Sequence, residues 1–154
     1  MIELLKKEIN LQKKPQFFQK IHNESRQNLL PSAILWVETI FRPLWFRVIE
    51  YIFLLLCISI KSGHVQNITI GLAQLKYRMW KEFLKYNGKP MSFFSFEDPV
   101  TNYQAISWYL SFFQYDSSLD ISRIYTGKEN HYYSMFINEA LNVLSLLNKE
   151  YSKK

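Results

Sequence analysis

Residues 44–61 read LWFRVIEYIFLLLCISIK, and the fold turns on how that stretch is taken. Its most apolar part, residues 51–60, is shorter than the roughly 20 apolar residues a helix needs to cross a bilayer. Extending it back to Leu44 brings in Arg47 and Glu50. The stretch therefore reads as a long helix buried in a protein core and ended by Ser62-Gly63, with Cys57 as a small hydrophobe inside it. No integral membrane span is expected.

On its N-terminal side, Arg42-Pro43 separates this helix from a shorter one, AILWVETIF (residues 33–41), because the residue before a proline is pushed out of the helical region. Pro31-Ser32 interrupts the chain before that. Pro15 suits the first turn of a helix over residues 15–29. Residues 1–14, with Lys6, Lys7, Glu8, Lys13 and Lys14, read as a peripheral, charge-rich segment. On the C-terminal side, residues 64–70 lack a helical period and form a loop or one short strand. In GLAQLKYRMWKEFLKY (residues 71–86), Leu72, Leu75, Met79 and Phe83 share one helical face, and Asn87-Gly88 closes the helix. KPMSFFSFE (residues 89–97) reads as irregular. Asp98-Pro99 is a capping residue followed by a first-turn proline, opening a helix over residues 100–115. Asp116-Ser117-Ser118 opens another to Tyr125, Thr126-Gly127 breaks it, and the last helix covers residues 129–149. The expected fold is mainly α: one compact domain over residues 1–154, with at most one short β-hairpin near residues 64–70.

Composition narrows the chemistry. The chain has 154 residues, 48% of them apolar, which is ample for a core and unlike a disordered chain. The four glycines are Gly63, Gly71, Gly88 and Gly127, and none are spaced for a dinucleotide or nucleotide-phosphate cradle. A lone Cys57 excludes an intrachain disulfide and a multi-cysteine metal site. His22, His64 and His131 lack ligand spacing, so neither a metal nor a cofactor is expected. No serine sits in a nucleophile elbow. Aromatic residues make up 17%. Most of them, including Trp36, Trp45, Phe46, Phe53, Trp108, Phe112 and Phe113, fall in apolar helix runs and are assigned to the core.

Three segments carry candidate chemistry. Glu38 lies among large apolar residues, where lost hydration raises a carboxyl pKa and suits it to general acid work. The alternative is an ordinary surface pair with Arg42 one turn on. In TIGLAQL (residues 69–75), Gly71 permits close backbone approach and Gln74 can donate to and accept from a polar ligand. In IYTGKENHYY (residues 124–133), a Tyr-x-Gly turn precedes the last helix and a tyrosine pair, whose rings and hydroxyls suit sugars. Each segment alone is more readily read as ordinary structure: a surface pair at Glu38, a helix N-terminus at residues 69–75, and a capping turn with core aromatics at residues 124–133.

Taken in order, these segments resemble the lysozyme-like superfamily, in particular its goose-type lysozyme and lytic transglycosylase branch, over residues 34–147. The resemblance implies a lysozyme-like helical fold with Glu38 as the catalytic acid. Thr69, Gly71 and Gln74 would line a sugar cleft, completed by Tyr125, Thr126 and Gly127 and by Tyr132 or Tyr133. The implied substrate is the glycan strand of peptidoglycan, cut between N-acetylmuramic acid and N-acetylglucosamine, in a bacterial or phage cell-wall setting. The chain departs from that pattern in three places. A whole helix separates Glu38 from the Gln74 segment. Thr-Ile-Phe-Arg-Pro follows the glutamate, where a serine and a short polar loop are usual. Thr126 replaces an asparagine. Glu50, also among apolar residues, is a rival acid.

Two other classes compete. One is a catalytically inactive lysozyme-like module that binds glycan or a protein partner. The other is a nucleic-acid binder, since Lys76, Arg78, Lys81, Lys85 and Lys89 interleave with Trp80 and Tyr86 on a chain of formal charge +6. The first residues show no apolar export signal, so action on a wall is expected to need signal-independent export or lysis.

Overall fold

The computed structural model describes Ile21 and residues 28–151. The expected segments over residues 1–14 and 15–29 lie largely outside that range, as does His22. The described chain is mainly helical, with one two-stranded antiparallel sheet. Its elements are α1 (Leu30–Phe41), α2 (Leu44–Ser59), a 3-10 turn (Gly63–Asn67), β1 (Thr69–Ile70), β2 (Leu75–Lys76), α3 (Tyr77–Tyr86), α4 (Phe93–Glu97), α5 (Pro99–Leu110), α6 (Ser118–Thr126) and α7 (His131–Tyr151).

Helix α1 is the axis of the fold. Every residue from Leu30 to Val37 is buried. The helix packs against α5 and α7, and α6 closes over α7. Pro31 does not interrupt α1. It sits in the first turn, where its missing N–H has no helical partner to lose. Glu38 is thereby delivered to the last turn of a helix whose other end is sealed in the core.

The expected helix over residues 71–86 divides in two. Gly71 (φ +78°) and Gln74 (φ +49°) both adopt left-handed conformations, so residues 71–74 form the turn of a hairpin that pairs Thr69 with Lys76 and Ile70 with Leu75. Helix α3 starts only at Tyr77. The hairpin thus covers residues 69–76, later in the chain than expected. Residues 93–97, read as irregular, form the short helix α4, capped by Ser92.

The larger correction concerns α2. It is helical as expected but is not a core helix. Only Arg47, Leu54 and Cys57 are buried along it. Trp45, Phe46 and Phe53, assigned to the core from sequence, are 64%, 37% and 55% exposed, and Phe112 and Phe113 are also exposed. Trp36 and Phe83, by contrast, are fully buried. The inner strip of α2 rests on β1 and the 3-10 turn. Arg47 anchors it through hydrogen bonds to both carboxylate oxygens of Glu97, at 3.0–3.1 Å. No helix among the described residues is long and apolar enough to cross a membrane.

Candidate active site

Glu38 occupies the C-terminal turn of α1. There the unsatisfied helix carbonyls oppose a negative charge. Burial raises the Glu38 carboxyl above its usual value of 4.5, and the nearby Glu50 pushes the same way. Two influences oppose this: the hydrogen bond from Tyr133 and the charge of Arg42. Tyr133 Oη donates to Glu38 Oε1 at 2.6 Å. With Oε1 accepting, Oε2 is left to carry the proton. Glu38 and Arg42 do not form the surface pair their spacing allows, because the Arg42 guanidinium is paired with Glu50.

Tyr133 is fixed from the N-terminus of α7. Asn130 Oδ1 accepts its backbone N–H at 3.1 Å. The Tyr133 ring lies stacked on Tyr125, with centroids 6.3 Å apart and planes 19° from parallel. Tyr125 in turn donates from its hydroxyl to the Ala73 carbonyl at 2.9 Å. Burial and the Glu38 charge hold both phenols well above their usual pKa, so both stay donors. Tyr132 turns away and is 69% exposed. The late tyrosine beside Glu38 is therefore Tyr133.

The turn at residues 71–74 completes the group. A Cβ on Gly71 would stand 2.7 Å from the Phe96 carbonyl oxygen, which adds a close approach to the positive φ in requiring glycine. Gln74 Nε2 donates to the Gly71 carbonyl at 2.9 Å and to Glu50 Oε2 at 3.0 Å. Gln74 Oε1 is buried with no hydrogen-bond partner. The turn is pinned from below by Asn102, which is fully buried. Its side chain accepts from the Ala73 N–H at 2.8 Å and donates to the carbonyls of Phe96 and Asp98 at 2.8 and 2.7 Å.

A cleft of about 270 Å³ opens beside this group, walled by Thr69, Gln74, Lys76, Tyr109, Tyr125 and Gly127, among others. Thr126 contributes to the same wall, and its hydroxyl donates to the Lys128 carbonyl. Gly127 (φ +78°) ends α6 in the left-handed conformation expected of a Tyr-x-Gly stop. The structure thus brings Thr69, Gln74, Tyr125, Thr126 and Gly127 to one cleft, with Gly71 in the turn behind it. Glu38 is not in the cleft wall. It lies past the stacked Tyr125 and Tyr133, tied to them by the Tyr133 hydrogen bond.

The order of the three segments had not revealed that Glu50 joins the Gln74 turn. Its only sequence signal was a carboxyl in apolar surroundings, which named it a rival acid. Tyr109 and Asn102 gave no signal, since neither lies near a motif. The basic, aromatic helix reads differently once folded. Trp80 is fully buried and donates from Nε1 to the Ile70 carbonyl at 3.0 Å, so it is not available to stack on a base. Lys89 is occupied by Thr101 and Gln104. Among the described residues no three His, Cys, Asp or Glu side chains gather in a way that could hold a metal ion. No protein-family model, curated protein or solved structure matches the chain.

Proposed function

We propose that this protein cleaves the glycan strand of peptidoglycan between N-acetylmuramic acid and N-acetylglucosamine, with Glu38 as the general acid. The observation that carries this reading is the pairing of two carboxyls in opposite environments near the Gln74 turn. Glu38 is desolvated, and burial raises its carboxyl pKa against the opposing pull of the Tyr133 hydrogen bond, the direction a general acid requires. Glu50 is paired with Arg42 through one carboxylate oxygen and accepts from Gln74 on the other. A buried carboxyl with a raised pKa beside a second carboxylate held by an arginine suits the roles of acid and charge stabiliser. This favours Glu38 over Glu50 as the acid.

In the proposed reaction the Glu38 proton passes to the glycosidic oxygen as its bond to the muramyl C1 breaks. The Glu50 charge steadies the developing positive charge on the ring. Each Glu50 oxygen already takes a strong donor, Arg42 on one and Gln74 on the other. We therefore assign bond formation to the muramyl 6-hydroxyl, which attacks C1 and gives up its proton to the Glu38 carboxylate. The product is a 1,6-anhydro sugar, and Glu38 ends the cycle protonated again. The unpartnered Gln74 Oε1 is suited to accept an N-acetyl N–H, and Tyr125 offers a ring edge to the sugar.

The test is release of soluble fragments from purified peptidoglycan by the parent protein and by Glu38→Gln, with mass spectrometry of the ends. The proposal expects anhydro ends from the parent and loss of release by about a thousandfold in the variant. Reducing ends would reassign Glu50 as the base for a water. Unchanged release by Glu38→Gln would remove Glu38 as the acid. A parent that binds glycan without cutting it would support the inactive binding module.

A further inference from the structure

The broad face of α2 is the one large apolar surface of the described chain that nothing in it covers. Counted at about 100° per residue, the buried Arg47, Leu54 and Cys57 and the half-buried Glu50 and Tyr51 occupy one side of the helix. The rest is apolar from edge to edge. Val48 and Leu55 stand at one margin, Ile52 and Leu56 along the middle, and Phe46 and Phe53 at the other, all of them 37–58% exposed. A water-soluble monomer rarely exposes a continuous apolar patch of more than a few hundred Å².

Three observations identify what covers it. First, the bare arc spans about 200°, whereas a helix packed on a neighbouring helix turns an apolar stripe of about 100° toward it. A second copy of the same helix would leave the Val48 or the Phe53 margin in water. Second, the arc carries almost no polar group. Ser59 is its one hydroxyl, and it donates back to the Leu55 carbonyl at 2.9 Å. Protein interfaces bring about one hydrogen bond per 100–200 Å², and beyond the Ser59 oxygen this arc offers only the indole N–H of the exposed Trp45. A hydrocarbon phase asks for none. Third, the charges of the helix are withdrawn from the arc: Arg47 is turned to Glu97, and Glu50 to Arg42 and Gln74. Arg42 before the helix is engaged by Glu50, and an exposed Lys61 follows the helix, on a chain of formal charge +6.

We infer that α2 docks this protein on an anionic lipid surface, lying in the plane of the bilayer with the Ile52–Leu56 face sunk among the upper acyl chains. An interfacial helix of this kind buries its apolar face about 5–10 Å deep and is strengthened by anionic headgroups. The inference is independent of the glycan-cleaving reading.

The experiment is flotation of the full chain with phosphatidylcholine vesicles containing a quarter phosphatidylglycerol, beside phosphatidylcholine vesicles alone. The expected result is binding to the anionic vesicles that largely persists in high salt and falls by about tenfold or more in Ile52→Glu/Leu56→Glu. Helical circular dichroism and the melting temperature check that the double variant is folded. A second readout needs no folding of a charged variant. Phospholipid brominated in its upper acyl chains should quench tryptophan emission in the parent, and Trp45→Phe should remove most of that quenching. Three results would overturn the inference: no binding to either vesicle, binding abolished by salt and kept by the double variant, or a stable dimer that ignores vesicles and dissociates in the double variant. The last would hand the face to a second copy. A monomer that ignores vesicles would mean that another part of the chain covers it.

Discussion

At Glu38 a single proton links stability to the proposed chemistry. Burial raises its carboxyl above the 4.5 it has when solvated. A folded-state pKa above the unfolded one means that the group favours folding below pH 4.5 and that this contribution is lost as pH rises through the folded value. Glu38→Gln removes the effect. The melting temperature of the variant minus that of the parent should therefore increase from pH 4 toward neutrality; a difference that stays flat would mean that the carboxyl is solvated. Tyr133 is separable by the same logic, because its hydrogen bond lowers the Glu38 pKa. Tyr133→Phe should raise that pKa further, moving the alkaline limb of a pH–activity profile to higher pH while activity at the optimum falls by about tenfold. If Tyr133 merely filled space, the limb would stay where it is in the parent. Sequence made Glu38 visible as a carboxyl among apolar neighbours. It could not choose between Tyr132 and Tyr133, since adjacent residues near a helix start differ only in which way the helix is turned. That rotation is set by Asn130 and by the packing of α7 on α1.

Between elements, the decisive joint is the one that holds the Gln74 turn on the α4–α5 junction. The Asn102 side chain makes three hydrogen bonds there, two of them buried. Asn102→Ala would leave the Ala73 N–H without a partner, while the Phe96 and Asp98 carbonyls keep the backbone donors of Leu72 and residue 102, and should cost about 2 kcal/mol in denaturant unfolding. Gly71→Ala meets both a positive φ and the Phe96 carbonyl and should cost about 2 kcal/mol or more. A loss below about half a kcal/mol in either variant would show that the turn is not clamped as described. Punctuation was the legible part of these elements. Asp98 caps α5 through the Thr101 N–H at 2.8 Å, Ser117 and Asp120 form a capping box for α6, and Gly127 stops it. The 71–76 region misled because Leu72, Leu75, Met79 and Phe83 satisfy a helical period while also fitting a hairpin followed by a helix. Four apolar positions do not exclude the left-handed turn that Gly71 and Gln74 make. Asn102 could not be found at all, since a buried asparagine is recognised by the distant carbonyls it satisfies.

For the whole molecule, the same sequence blindness has its largest consequence at α2. Apolar residues on every side of a helix describe equally a helix sunk in a protein core and one laid against another apolar phase. Only the arrangement of the other helices separates the two. That arrangement puts α1, α5 and α7 at the centre and leaves α2 joined to the body by a narrow strip and the Arg47–Glu97 pair. Local opening free energy follows buried contact. In water, the amides of α1 from Ile34 to Val37 should therefore exchange with solvent hydrogen about a hundredfold or more slowly than those of α2 from Ile49 to Leu56. Arg47→Ala should widen the gap by loosening the anchor and leaving Glu97 unpaired. Adding anionic vesicles should then slow exchange in α2 while leaving α1 unchanged, because lipid on the bare face opposes only the opening of the helix it covers. Equal protection of α1 and α2 in lipid-free solution would show that the face is already covered by protein. Slowing spread evenly over both helices would show that the vesicles act on global unfolding and not through α2.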